Sequence, residues 1–416
     1  MASTARSLRY ALAILTTSLV TPSVWAHAHL THQYPAANAQ VTAAPQAITL
    51  NFSEGVETGF SGAKITGPKN ENIKTLPAKR NEQDQKQLIV PLADSLKPGT
   101  YTVDWHVVSV DGHKTKGHYA FSVKYIMLAF TWFALRFIQF TSLMLVFGFA
   151  MYGAWLAPLM IRRLLAKRFL RLQQHAAVWS LISATAMLAV QGGLMGTGWT
   201  DVFSPNIWQA VLQTQFGGVW LWQIVLALVT LIVALMQPRN MPRLLFMLTT
   251  AQFILLAGVG HATLNEGVTA KIHQTNHAIH LICAAAWFGG LLPVLWCMQL
   301  IKGRWRHQAI QALMRFSWCG HFAVIGVLAS GVLNALLITG FPPTLTTYWG
   351  QLLLLKAILV MIMVVIALAN RYVLVPRMRQ DEDRAAPWFV WMTKLEWAIG
   401  AVVLVIISLL ATLEPF

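Results

Sequence analysis

The stretch Gly99-Thr-Tyr-Thr-Val-Asp-Trp-His-Val-Val-Ser-Val-Asp-Gly-His113 puts Tyr101, Val103, Trp105 and Val107 on alternate positions. Successive side chains of a strand point to opposite faces, so this spacing predicts a strand with one buried face. The alternation recurs in Ile48, Leu50 and Phe52, in Leu88 and Val90, and in Tyr119, Phe121 and Val123, with Pro, Gly and Asn between the runs. About 100 residues of this pattern, with no long helical stretch, fit an all-β, immunoglobulin-like Greek-key sandwich. The three cysteines, Cys283, Cys297 and Cys319, all lie later in the chain. The sandwich therefore has no disulfide framework and no thiolate metal site, and stands on its apolar core.

Beyond residue 126 the pattern changes to an all-α polytopic membrane bundle. Eight apolar segments lie near 131–160, 173–196, 216–236, 244–263, 273–301, 316–340, 349–374 and 389–412. Each reaches the roughly 20 residues that cross a bilayer as a helix, the form in which a backbone satisfies its own polar groups in lipid. Of the 416 residues 56% are hydrophobic and only 11% charged, which excludes a single soluble globule.

The net charge of +16 raises the question of nucleic acid, so its location matters. Successive connections carry Arg162, Arg163, Lys167, Arg168 and Arg171; no cation; Arg239 and Arg243; Lys271 alone; Lys302, Arg304, Arg306 and Arg315; no cation; and Arg371, Arg377, Arg379 and Arg384. Basic connections of membrane proteins stay in the cytoplasm. The alternation thus accounts for the charge by topology, leaves nucleic acid without support, and puts the sandwich and the C-terminus on the outer side of the membrane.

Export is expected independently. Arg6 and Arg9 precede an apolar run from Tyr10 to Val20, followed by Ser23-Val24-Trp25-Ala26, whose small residues suit a signal peptidase. Residues 1–26 are read as a signal peptide, 27–125 as the exported sandwich and 126–416 as the membrane domain. Cleavage after Ala26 makes His27 the N-terminus. The seam Phe121-Ser-Val-Lys-Tyr-Ile-Met127 contains no Gly, Ser-rich or Pro linker, which ties the sandwich closely to the membrane surface.

A terminal His27 offers an α-amine and an imidazole nitrogen to one ion. Asp111 and His113, two apart, share one side if the chain there is extended. Together they form an N,N,O,N set suited to tetragonal Cu(II); Asp-Gly-His also reads simply as a turn after the strand. Between Met1 and Met127 the chain has neither methionine nor cysteine, but it has His27, His29, His32, His106, His113 and His118. Lacking soft ligands, a copper site there takes the oxidised ion.

These residues carry a resemblance. His27-Ala-His-Leu-Thr-His-Gln-Tyr-Pro-Ala, Leu50-Asn-Phe-Ser-Glu-Gly-Val and Gly99 to His113 resemble the CopC family of periplasmic copper-binding proteins, without the methionine-rich loop of its longer members. The eight-helix remainder resembles CopD, the inner-membrane partner. The resemblance implies Cu(II) ligands at His27, Asp111 and His113, a role in copper homeostasis and resistance, uptake across the bacterial inner membrane, and contact with other periplasmic copper proteins.

In the membrane domain, ionisable residues within spans default to function. His273, His277 and His280, spaced i, i+4, i+7, line one stripe of the fifth segment, with Trp287 continuing it. His261 ends the fourth segment on the same side, with Glu266 in the loop between. The stripe reads as a metal path, or as interfacial histidines bonded to backbone and water. His175, Cys297, Cys319 and His321 form a second, inner set, read first as packing residues and second as a joint metal site. Arg136, Lys356, Lys394 and Glu396 are expected to snorkel or pair near helix ends. Gly192-Gly193, Gly289-Gly290 and Ala329-Ser330-Gly331 suggest close helix contacts. No ATP-binding motif occurs, which excludes an ATP-driven pump. The expected activity is copper binding and transport without enzymatic turnover. The alternatives are an oxidoreductase holding haem b between facing histidines and a non-transporting scaffold.

Overall fold

A computed structural model of the chain describes residues 28–41, 44–81, 83–110, 112–123, 126–196, 198–259, 267–301, 303–339, 347–377 and 382–413. The leader, His27, Asp111, His261 and Glu266 lie outside the described residues. The chain divides into two units, Met1–Tyr125 and Ile126–Phe416.

The first unit is built from two sheets. One has the strand order β1 (Leu30–Tyr34), β3 (Ala47–Phe52), β7 (Gln87–Pro91), β6 (Lys79–Arg80). The other runs β2 (Gln40–Val41), β9 (Lys114–Val123), β8 (Gly99–Ser109), β4 (Val56–Thr66), β5 (Asn72–Ile73). All pairings are antiparallel except β2 with β9. The expected alternation holds: Ile48, Leu50, Phe52, Leu88 and Val90 from one sheet are buried with Tyr101, Val103, Trp105, Val107 and Phe121 from the other in a single cluster. Phe52 meets Trp105 edge-on at 5.4 Å between ring centres. Each large side chain so buried contributes about 1.5–3 kcal/mol, and this core does the work that disulfides do in other small exported domains. Tyr101 donates its hydroxyl to the Lys97 carbonyl (2.6 Å), pinning the chain where it enters β8.

The second unit is a membrane helical bundle. Its helices are α1 (Ile126–Met151, continued by a π turn Tyr152–Leu156), α2 (Leu159–Met195), α3 (Pro205–Leu212), α4 (Gln215–Met236), α5 (Met241–Leu256), α6 (Gly267–Met298), α7 (Arg306–Thr339), α8 (Tyr348–Ala369, continued by a π turn Asn370–Leu374 and a last turn to Arg377) and α9 (Glu382–Leu410). Thr214 and Thr347 cap α4 and α8, their hydroxyls accepting from Gly217 N and Gly350 N at 3.1 Å.

Two expectations are modified. Among the described residues, seven helices are long and apolar enough to cross a membrane. The segment near 244–263 forms α5, whose 16 residues rise about 24 Å. Pro242 sits in its first turn, and the chain leaves the helix where Gly258 N bonds back to the Leu255 carbonyl (2.9 Å). The basic stretches Arg162–Arg171 and Arg306–Arg315 are not loops but the first turns of α2 and α7, helices of 37 and 34 residues. Lengths well beyond the roughly 20 residues of a span carry those cations past the hydrocarbon.

Helix α6 is the most enclosed span, 61% buried, with α1 at 56%, whereas α8 is 17% buried and turns its apolar side chains outward. The two central helices meet backbone to backbone: a Cβ on Gly148 would fall on Gly289, and one on Gly289 would fall on the Met144 carbonyl. The Gly289-Gly290 pair is therefore a helix crossing, as its composition suggested, and Gly290 takes the Phe316 ring of α7 on its other side. Because the obstacle is backbone rather than a movable side chain, Gly289→Val is expected to exceed the usual ~1–3 kcal/mol cost of overpacking. Thermal unfolding of the full chain in detergent should show a Tm drop of several degrees or no folded protein, while Gly218→Ala, which meets nothing within 4 Å, leaves Tm unchanged.

Candidate metal centre

In the sandwich, the turn between β8 and β9 carries His113. The Ser109 amide and hydroxyl both donate to the His113 carbonyl (3.0 and 3.1 Å), and Gly112 N donates to the Ser109 carbonyl (2.8 Å). Gly112 has φ of +87°, a conformation that side chains rarely adopt. These bonds fix the backbone of His113 while the residue stays exposed.

A second set of bonds brings the start of the domain to this turn. Ala28 is fully buried in the core. Its neighbour His29 donates N–H to Ser53 Oγ and accepts from Ser53 N, both at 2.9 Å. Two residues on, the Gly55 carbonyl accepts from Val110 N (3.0 Å) in the His113 turn. One three-residue turn, Ser53 to Gly55, thereby braces both the chain that follows His27 and the hairpin that bears Asp111 and His113. His106 and His118 stand instead on exposed positions of β8 and β9, and His32 on an exposed position of β1. Ser53 was not singled out as a candidate, although it lies in the Leu50-Asn-Phe-Ser-Glu-Gly-Val stretch.

In the bundle, His273 and His280 are buried and His277 is half-buried on α6. His277 and His280 face a polar strip of α7. His280 Nδ1 meets Ser330 Oγ at 2.9 Å, and His277 Nδ1 meets Asn334 Nδ2 at 3.5 Å. Asn276, on the same stripe, donates to the Ser330 carbonyl (2.9 Å) and to Asn334 Oδ1 (2.8 Å). A Cβ on Gly331 would lie 3.3 Å from the His280 ring, so the glycine lets the imidazole close onto α7. Asn276, Ser330 and Asn334 were missed. Their signal was spacing: Ser330 and Asn334 are four apart and share a helix face.

The inner set is dispersed. His175 is exposed on α2. Cys297 is fully buried and accepts from the Tyr152 hydroxyl (3.0 Å) in the α1 π turn. Cys319 is half-buried against the apolar core. His321 binds the Ser317 carbonyl through Nδ1 (2.6 Å) and the Tyr372 hydroxyl through Nε2 (3.0 Å). Among the described residues no three His, Cys, Asp or Glu side chains gather as a metal site. Glu396 does not snorkel either: it lies well inside α9, 2% exposed, accepting from Trp287 Nε1 at 2.7 Å. Arg136 packs its guanidinium over Trp132 and Phe140.

Comparison with known proteins agrees with both halves. The family model described as CopC domain matches residues 30–124. Those described as Copper resistance protein D-like, N-terminal domain, and Copper resistance protein D match 127–272 and 310–410. Inner membrane protein YebZ of Escherichia coli (strain K12) is 99% identical over 290 residues, covering 70% of this chain and 100% of that protein. The chain belongs to the CopC and CopD families. The CopC part also matches Protein YobA of the same strain, 99% identical over 124 residues, 30% of this chain and all of YobA. The two parts occur together in a relative named Copper transport protein CutJ of Bacillus subtilis (strain 168), 26% identical over 426 residues, 94% of this chain and 76% of CutJ.

Partners that orient metal ligands typically affect affinity 10–100-fold when removed. Ser53→Ala is therefore expected to weaken copper binding by the full chain about 10-fold or more, at a folding cost of about 1 kcal/mol. A competition titration against a chelator of known affinity measures it; an unchanged Kd would show that the brace plays no part in the site.

Proposed function

We propose that this chain binds Cu(II) with its CopC part and moves copper inward with its CopD part. In this reading the α-amine and imidazole of His27, with Asp111 and His113, form the tetragonal site. The sandwich is immunoglobulin-like, as the Tyr101 hydroxyl bond at a strand entry supports. Helix α5 completes eight spans, the basic helix ends lie in the cytoplasm, and the sandwich and C-terminus face the periplasm across the inner membrane. The protein acts as a carrier, not as an enzyme.

One observation carries the membrane part: the seam in which His277 and His280 each have Nδ1 held by a polar residue of α7. Metal-ligating histidines characteristically have one ring nitrogen fixed by such a partner. A series of imidazoles at His273, His277 and His280, with His261 ahead of them, lets an ion pass by ligand exchange without becoming bare. The linker-free seam makes handover from the sandwich intramolecular, at an effective concentration on the order of millimolar. Relatives named for copper transport and copper resistance support the cargo.

Two results test this. Extending the mature N-terminus by one residue ahead of His27 removes its amine from the chelate ring and should lower Cu(II) affinity at least about 10-fold, with a changed EPR spectrum; an unchanged spectrum and Kd exclude the amine. The double variant His277→Gln, His280→Gln should abolish copper accumulation by cells at normal expression while leaving the sandwich site intact. Full accumulation by that variant would reject the stripe as a path, and a Soret band in the purified chain would favour the haem oxidoreductase instead.

A further inference from the structure

A cavity of about 420 Å³ opens among α6, α7, α8 and α9, away from the histidine seam. Arg306 and Arg371 line it near the basic helix ends, and Trp287, Asn370 and Glu396 line it deeper in. Glu396 is 14 residues into α9, about 21 Å along its axis, near the middle of a bilayer-sized span. A carboxylate at that depth is costly unless its charge is compensated. Its neighbours are two neutral side chains: Trp287, donating at 2.7 Å, and the amide of Asn370. Among the described residues no cationic side chain pairs with it.

Asn370 adds an independent observation. It opens the π turn Asn370–Leu374, an irregularity that frequently marks functional positions in helices. It is 6% exposed, its Nδ2 reaches Thr393 Oγ1 at 3.4 Å, and its Oδ1 is buried with no hydrogen-bond partner. A buried acceptor without a donor calls for a physical explanation. The hydroxyl of a protonated Glu396 is such a donor, and ionised Glu396 instead accepts from the amide. The same pair of side chains serves both protonation states.

We propose that Glu396 is a proton-binding site of the bundle, loaded and unloaded through the cavity that Arg306 and Arg371 line. The step is a simple proton transfer: water in the cavity gives a proton to the carboxylate, or takes it from the carboxyl group. A metal ion is a poorer occupant, since among the described residues no cluster of three His, Cys, Asp or Glu side chains lies there. The charged and titratable groups facing the site are few. They are His321 on α7, bonded to Tyr372, Arg306 at the start of α7, and Arg371 beside Asn370, which reaches Met314 Sδ at 3.2 Å. Lys394 on α9 is exposed. No charged side chain of α6 lines the cavity. The use of such a site, releasing a proton as a copper cation passes, rests on the transport reading above.

Infrared difference spectroscopy of the full chain in lipid vesicles, scanned in pH, tests the site. A protonated-carboxyl C=O band should appear and vanish reversibly, be absent in Glu396→Gln, and shift in Trp287→Phe and Asn370→Leu, which alter its hydrogen bonds without removing the carboxyl. Should Glu396→Gln fail to fold, the shifts in the other two variants decide. A wild type with no titrating band, a band that persists in Glu396→Gln, or a carboxylate signal that responds to added Cu(II) but not to pH would overturn the proposal. Copper entry into the same vesicles is measured separately. A titrating Glu396 band in a protein that moves no copper would uphold the proton site while rejecting transport.

Discussion

The contact of Gly148 with Gly289 governs the bundle, because it lets α1 and α6 approach until their backbones touch. Lipid supplies no hydrophobic force between helices, so close packing of small residues has to do that work. With α6 enclosed in this way, what it carries is held at successive levels inside the protein: the histidines toward its start, Trp287 at the level of Glu396, and Cys297 under the Tyr152 hydroxyl. The same residues on the outer α8 would face lipid.

The bundle has several polar seams between its helices. Gln139 joins Ser180 and Ser183 between α1 and α2, and Gln223, Gln252 and Thr230 bond between α4 and α5. Such pairs contribute modestly, about 0.6 kcal/mol each on average, and satisfy groups that lipid leaves unpaired. They are neutral. The α6–α7 seam differs in carrying imidazoles, and the Trp287–Glu396–Asn370 group in carrying a carboxylate.

The sandwich reaches precision by other means. His113 is exposed, so backbone bonds have to hold its position. Ser53 and Gly55 supply these bonds to two segments, at His29 and Val110, that lie far apart in sequence, and the double donation from Ser109 to the His113 carbonyl completes the hairpin. The stiffness of the core beneath, with Ala28 fully buried, makes those bonds effective restraints.

Periodicity alone identified both architectures, since a two-residue repeat buries one face of a strand and a run of about 20 apolar residues answers to the thickness of lipid. It also exposed the His273, His277 and His280 stripe, because helical spacing is a local property. Helix length was harder to read: α5 came out short and the basic stretches joined α2 and α7, as ends depend on turns such as Leu255 to Gly258 rather than on composition. What faces each stripe belonged to the tertiary structure. Ser330 and Asn334 are about fifty residues from their histidine partners, Glu396 is 109 from Trp287, and Ser53 is 24 from His29. No local pattern encodes such pairs; they exist because packing brings distant segments into contact and buried polar groups must then find one another.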